Sequence, residues 1–215
     1  MTKRWLTERK KEYYYKKAKV EGYRSRASYK LKQMCERFNL IKEGDIVIDL
    51  GCAPGGWSQV AKEIVGKEGL VIGVDILDIA RIEGIVFLKC DVFSSEIVSD
   101  IKKILDGRKA DIVLSDLSPN ISGNYSIDHA RSIEMCKRAF YIAKEVLKNN
   151  GNFVSKVFQG EYFNETLNEI KKAFIFCKAH APKAKRARSS EIYIIGKGFI
   201  GSSQLVINLD QNKII

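Results

Sequence analysis

At 215 residues, 45% apolar and 29% charged, the chain has the composition of one folded domain rather than of a disordered or fibrous segment. No apolar run is long enough to span a bilayer, and the opening Met1-Thr-Lys-Arg-Trp5 lacks the apolar stretch of a secretory signal, so a cytoplasmic protein that avoids membranes is expected. The formal charge of +11 is unevenly spread: residues 1–37 hold 13 Lys/Arg against 4 Asp/Glu, residues 178–215 hold 7 against 2, and the middle holds 17 against 20.

Taken in chain order, the first 22 residues are polar and read as a helical or loosely ordered arm. From Ser25 to Phe38 apolar residues recur at Ala27, Leu31, Met34, Cys35 and Phe38, a helical spacing. "DIVIDLG" (45–51) then reads as a strand, 56–65 as a helix, "LVIGVD" (70–75) and "IVFLKCD" (85–91) as strands, and 96–105 as a helix. "ADIVLSD" (110–116) is a fourth strand. The helical pattern of 128–147 is expected to end at Asn150-Gly151, with the glycine just past the last turn. "NFVSKVF" (152–158) is a fifth strand, 165–173 a helix, and "IFCKAHA" (175–181) and "EIYIIGKGF" (191–199) close the chain.

Such alternation implies an α/β fold: a Rossmann-like, seven-stranded, mostly parallel sheet with helices on both faces. Two consecutive closing strands leave no crossover helix between them, so one of them is expected to run antiparallel. One residue breaks the pattern. Lys156 stands inside the apolar run of the fifth strand, where an ammonium has no ordinary reason to leave water.

The turn after the first strand reads Asp49-Leu-Gly-Cys-Ala-Pro-Gly-Gly-Trp57. Gly51, Gly55 and Gly56 let backbone approach a ligand, yet the G-x-G-x-x-G spacing of a pyrophosphate site is broken by Cys52 and Pro54. The loop suits the amino-acid end and sugar of S-adenosylmethionine better than a dinucleotide, which argues against a nicotinamide-dependent oxidoreductase. Asp75 ends the second strand, where a carboxylate can accept from ribose hydroxyls. Asp91 or the Val92 amide can meet an adenine edge, and Asp116 ends the fourth strand. Repetition of short polar residues at one sheet edge is what a ligand-binding carboxyl edge requires.

The two basic ends suit a polyanion. Tyr13, Tyr14, Tyr15, Tyr23 and Tyr29 among the N-terminal cations favour RNA, which offers bases to stack as well as phosphates. The expected contacts are the basic residues of 1–37 and 178–188. Five scattered cysteines without a C-x-x-C spacing, and two distant histidines, suggest reduced thiols and no metal site. His129 reads as a satisfied helix histidine rather than a base.

The blocks "YRSRASYKL", "VIDLGCAPGGWSQV", "SDLSPNISG", "VSKVFQGEYF" and "RARSSEIYI", in this order between about residues 22 and 198, resemble the FtsJ family of RNA 2′-O-ribose methyltransferases. The resemblance implies a catalytic set of Lys30, Asp116, Lys156 and Glu191. It also implies S-adenosylmethionine as cofactor, near Asp49, Gly51, Pro54, Gly55, Gly56, Trp57, Asp75, Asp91, Val92 and Asp116. The pattern is closest to the members that methylate a uridine of large-subunit ribosomal RNA, while transfer RNA members share the same set. The expected division is a basic, aromatic arm (1–24), a methyltransferase domain (25–198) and a tail (199–215), acting as a monomer on RNA or the ribosomal particle. A non-catalytic RNA-binding relative would lack one of the four charged groups. A base methyltransferase would carry a different loop from "DLSPN". In the expected chemistry Lys156 orients the ribose hydroxyl and either accepts its proton or stabilises the oxyanion.

Overall fold

The computed structural model describes residues 13–184 and 190–201. The basic residues before 13, those from 185 to 189, and the tail from 202 lie outside the described residues.

After a helical stretch at 13–20 come α1 (Ser28–Phe38), β1 (Ile46–Leu50), α2 (Gly56–Val65), β2 (Leu70–Asp75), β3 (Ile85–Lys89) and α3 (Ile97–Leu105). They are followed by β4 (Ala110–Ser115), α4 (Tyr125–Val146), β5 (Leu147–Phe158), α5 (Phe163–Lys171), β6 (Phe174–His180) and β7 (Glu191–Phe199). One seven-stranded sheet has the order β3-β2-β1-β4-β5-β7-β6. β7 runs antiparallel to both neighbours, and the remaining pairings are parallel.

The period of two along each strand divides the core into two layers. Val113, Phe153, Val157 and Ile194 face the layer built with α3, α4 and α5. Ile112, Leu114, Val154, Tyr193 and Ile195 face the layer built with α1 and α2. Lys156 is two residues beyond Val154 and so points to the α1 side. This places it opposite Lys30, which α1 turns inward with Leu31 and Met34.

Three of the five tyrosines expected to meet RNA are instead committed to packing. The Tyr23 hydroxyl donates to Glu63 (2.5 and 2.7 Å), that of Tyr29 to Glu21 (2.9 Å), and Tyr14 accepts from the Gln33 amide (2.9 Å). Their rings pack in sequence, Tyr14 on Tyr29 and Tyr29 on Tyr23. Tyr13 and Tyr15 stay exposed.

The end of α4 departs from expectation. The helix stops at Val146, and Leu147 is already extended and paired with Ala110. Asn150, with φ +63°, makes the left-handed turn, while Gly151 lies within β5. A glycine after a helical run was misread as a stop signal because the strand begins before it.

Candidate active site

The carboxyl ends of β1, β2 and β4, with the chain just past β3, open on a cavity of about 410 Å³, within the range of small-molecule sites. Gly51, Asp75, Asp91, Val92 and Asp116 line it, together with Ile76, Leu77, Phe93, Leu117, Ser118, Asn120 and Met135. Gly51 has φ +74°, and a Cβ there would stand 2.8 Å from Leu117 Cδ2 and 3.2 Å from its Cα, so a side chain at this turn would collide with a cavity wall.

The polar wall is pre-set by backbone. Asp75 Oδ2 accepts from the Ala53 N–H (2.8 Å) and Oδ1 from the Leu77 N–H (2.9 Å), while Asp91 Oδ1 accepts from the Phe93 N–H (2.9 Å). Carboxylate oxygens keep lone pairs beyond these bonds and can still accept from ribose hydroxyls.

Asp49 stands behind this wall, fully buried. Its Oδ2 accepts from Ser58 Oγ (2.6 Å), while Oδ1 has no hydrogen-bond partner among the described residues. Burial pushes its carboxyl up to about 7 against the Ser58 bond, and the charges of Asp116 and Asp75 add to the shift. A buried acceptor without a partner among the described residues, behind a wall that carries Asp75, Asp91 and Asp116, fits a ligand with an ammonium group, a sugar and a flat base. S-adenosylmethionine has all three.

Pro54, Gly55, Gly56 and Trp57 do not line the cavity; they hold its frame. Arg24 donates to the carbonyls of Pro54 (3.3 Å), Ala80 (2.5 Å) and Arg81 (2.9 Å). Ser28 Oγ donates to the Gly56 carbonyl (3.0 Å), and Trp57 Nε1 to that of Ala27 (2.8 Å). On the side of Asp91 and Val92, Arg138 donates to the carbonyls of Val92 (2.5 Å) and Ser94 (2.7 Å).

At the mouth of the cavity the four charged residues of the expected set come together. Lys156 Nζ donates to the Asp116 carbonyl (2.6 Å) and lies 3.2 Å from its Oδ1. Lys30 Nζ lies 2.6 Å from Glu191 Oε1. Between the two pairs sits the hydroxyl of Tyr193. It accepts from Lys30 (3.1 Å) and lies 2.8 Å from Asp116 Oδ1 and 3.1 Å from Glu191 Oε1. Lys30, Lys156 and Glu191 are buried and Tyr193 is wholly so.

Burial alone would raise the Asp116 carboxyl. The charges of Lys156 and Lys30, with the Tyr193 bond, outweigh it and hold the group below the usual carboxylate range. Burial and the charges of Asp116 and Glu191 drive the Tyr193 phenol far above its ordinary value, so it serves as a neutral donor.

Tyr193 was missed by sequence reasoning. The signal was available in strand alternation: it lies two residues beyond Glu191 and directly opposite Lys156 in the β5–β7 register. Among the described residues no cluster of three or more His, Cys, Asp or Glu side chains is arranged to hold a metal, and no helix is long and apolar enough to cross a membrane.

The sheet, its carboxyl-edge cavity and the charged group beside it define a methyltransferase. The FtsJ-like methyltransferase family model matches residues 23–199. The ribosomal RNA large subunit methyltransferase E of Methanosarcina mazei is 52% identical over 191 residues, covering 89% of this chain and 70% of that one. Its counterpart of the same name in Archaeoglobus fulgidus is 51% identical over 190 residues, covering 88% and 97%. A crystal structure described as a ribosomal RNA methyltransferase from Plasmodium falciparum superposes with a TM-score of 0.76 at 28% identity, covering 83% of this chain and all of that one. The chain belongs to the FtsJ-like methyltransferases, a family of RNA 2′-O-methyltransferases.

Proposed function

We propose that this protein methylates the 2′-hydroxyl of a uridine ribose in large-subunit ribosomal RNA, with S-adenosylmethionine as methyl donor. The observation that carries this reading is the meeting of the Lys156–Asp116 and Lys30–Glu191 pairs at the edge of the cavity that Asp116 itself lines. The ribosomal substrate is supported by relatives at about half identity whose names specify it. The same reading divides the chain into a basic arm (1–24), a methyltransferase domain (25–198) and a tail (199–215). It has the protein act as a monomer in the cytoplasm, where ribosomes work.

Bound in the cavity, the cofactor would supply a methyl group activated by a sulfonium. Asp75 would hold its ribose, Asp91 and Val92 its adenine, and the Gly51 turn its amino-acid end, above the unpartnered oxygen of Asp49. No acid is needed for the leaving group, so the protein's task is alignment and control of the hydroxyl proton. Asp116 fixes Lys156 through two contacts. An ammonium carries three donors, so one remains for the ribose oxygen. In this reading Lys156 holds the 2′-oxygen in line and stabilises the negative charge that develops on it as its proton passes to water, while the donor's carbon–sulfur bond would break to leave a neutral thioether. Lys30 and Glu191 brace the far side of the same group through Tyr193.

The test is transfer of radiolabelled methyl to total RNA from cells lacking the protein, followed by mapping of ribose methylation. One large-subunit uridine should be restored, and Lys156→Ala should lower kcat by about 10²-fold or more with S-adenosylmethionine affinity little changed. Labelling of transfer RNA alone would overturn the substrate assignment.

A further inference from the structure

At the start of α4 and just past β5 the chain presents two half-exposed aromatic rings that neither the cavity nor the charged group uses. Tyr125 is 54% exposed and Tyr162 46%. Both lie nearly parallel to the buried ring of His129, Tyr162 at 5.8 Å and 4°, Tyr125 at 6.4 Å and 10°.

The orientation is imposed by backbone. His129 Nδ1 donates to the Phe158 carbonyl (3.1 Å), and the Tyr162 N–H donates to Nε2 (3.1 Å), which assigns the ring proton to Nδ1. Gly160 passes flat over the imidazole: a Cβ there would stand 2.7 Å from three of its ring atoms. Gln159 is tied from both sides. Its N–H donates to the carbonyl of Ser190 (2.9 Å), next to Glu191, and its carbonyl accepts from the Tyr125 hydroxyl. The rings are thus pinned to the two strands that carry Lys156 and Glu191.

Tyrosine rings ordinarily bury most of their area. Here two are held out, each parallel to the same buried ring and rigidly based; at the N-terminus Tyr13 and Tyr15 are exposed as well, while Tyr14, Tyr23 and Tyr29 are packed away. A fixed, exposed π-face on the segments that open α4 and follow β5, the strand that carries Lys156, matches the flat face of an unpaired base. A duplex would offer its groove edges and phosphates instead.

We propose that Tyr125 and Tyr162, set parallel by His129, form a stacking platform for the unpaired bases that flank the methylated ribose. This rests on the RNA reading above, and it implies that the target ribose lies in a single-stranded or locally opened stretch.

The test measures anisotropy of a short fluorescein-labelled single-stranded oligoribonucleotide, and of the corresponding duplex, on the full chain. Tyr162→Leu and Tyr125→Leu keep apolar cover over His129 but remove the stacking face; Tyr162→Phe and Tyr125→Phe keep it. Each leucine variant should weaken single-strand binding about tenfold and raise KM for ribosomal RNA in parallel. Duplex binding, S-adenosylmethionine affinity by calorimetry, and the salt dependence of RNA binding should not move, because no charge is lost. Tyr162→Phe should bind as the parent does, and Tyr125→Phe, which keeps the ring but loses its tie to Gln159, should bind more tightly than Tyr125→Leu.

Leucine variants that bind single strands within about twofold of a parent that binds and methylates RNA would overturn the platform alone. Loss of cofactor affinity alongside RNA affinity would also overturn it, marking the rings as framework. A parent that methylates no RNA would overturn the underlying reading instead.

Discussion

The hydroxyl of Tyr193 stands 2.8 Å from Oδ1 of Asp116, the carboxylate oxygen that Lys156 also engages at 3.2 Å. One phenolic proton thus faces two carboxylates, since Glu191 Oε1 is 3.1 Å away, and Lys30 donates to the same oxygen from the other side. The phenol joins two buried ion pairs into one group of balanced charge. Joining matters because either pair alone would have to offset its own loss of hydration.

Tyr193→Phe keeps the ring against Trp57 and removes only the shared hydroxyl. Leaving buried charged partners short of a bond is expected to cost about 1–3 kcal/mol in urea denaturation. Catalysis should fall a few-fold, well short of the Lys156→Ala loss. Asp116 loses one of the influences holding its carboxyl low, so the acid limb of the kcat profile should move to higher pH.

Asp49 predicts an opposite pH dependence. With its carboxyl raised to about 7, the folded protein keeps a proton that the unfolded chain releases above its ordinary value near 3.8. Stability is therefore expected to fall as pH rises through that interval, by up to about 1.4 kcal/mol per unit, and to level off above it. Asp49→Asn should flatten this stretch of the curve in denaturation series run across pH. A cofactor ammonium received near the carboxylate favours its ionised form. S-adenosylmethionine affinity should accordingly rise up to about tenfold per pH unit below 7 in the parent, and stay level in Asp49→Asn.

Arg138 reaches two carbonyls of the segment that carries Val92, with Nε to Val92 and Nη2 to Ser94. Arg138→Lys cannot span both, because an ammonium lacks the planar fork. Calorimetry should find S-adenosylmethionine binding weakened about tenfold in Arg138→Ala and nearly as much in Arg138→Lys, with kcat at saturating cofactor retained.

The N-terminal tyrosines separate structure from recognition. Tyr23→Ala removes a buried ring and its bond to Glu63, and is expected to cost about 3–5 kcal/mol in thermal or urea unfolding. Tyr23→Phe should lose about 1 kcal/mol and leave RNA affinity unchanged in the anisotropy assay. A large loss of RNA binding in Tyr23→Phe would return this ring to the interface.

Much of the architecture was legible before any coordinate was known. The spans 56–65 and 70–75 coincide with α2 and β2, and the antiparallel partner among the closing strands is β7. Local period and turn chemistry act between near neighbours, so they survive in one dimension. The end of α4 was not legible, because Leu147 leaves the helix to pair with Ala110, a residue 37 positions earlier. The packing of Tyr14, Tyr23 and Tyr29 was not legible for the same reason. Their hydroxyl partners, such as Glu63 for Tyr23, are a matter of packing.

What the sequence determined by itself is the identity of the chemical groups and the elements that carry them: a misfit lysine in an apolar strand, short acidic residues at strand ends, a glycine turn unsuited to pyrophosphate. Only the tertiary structure decided which of these groups meet. Lys30 and Tyr193 are 163 residues apart in the chain and 3.1 Å apart in space, and no periodicity encodes such a contact. It arises because α1 is folded against the face of β5 and β7 that their two-residue period turns toward it. The buried charges gathered there tolerate the loss of water only in one another's company.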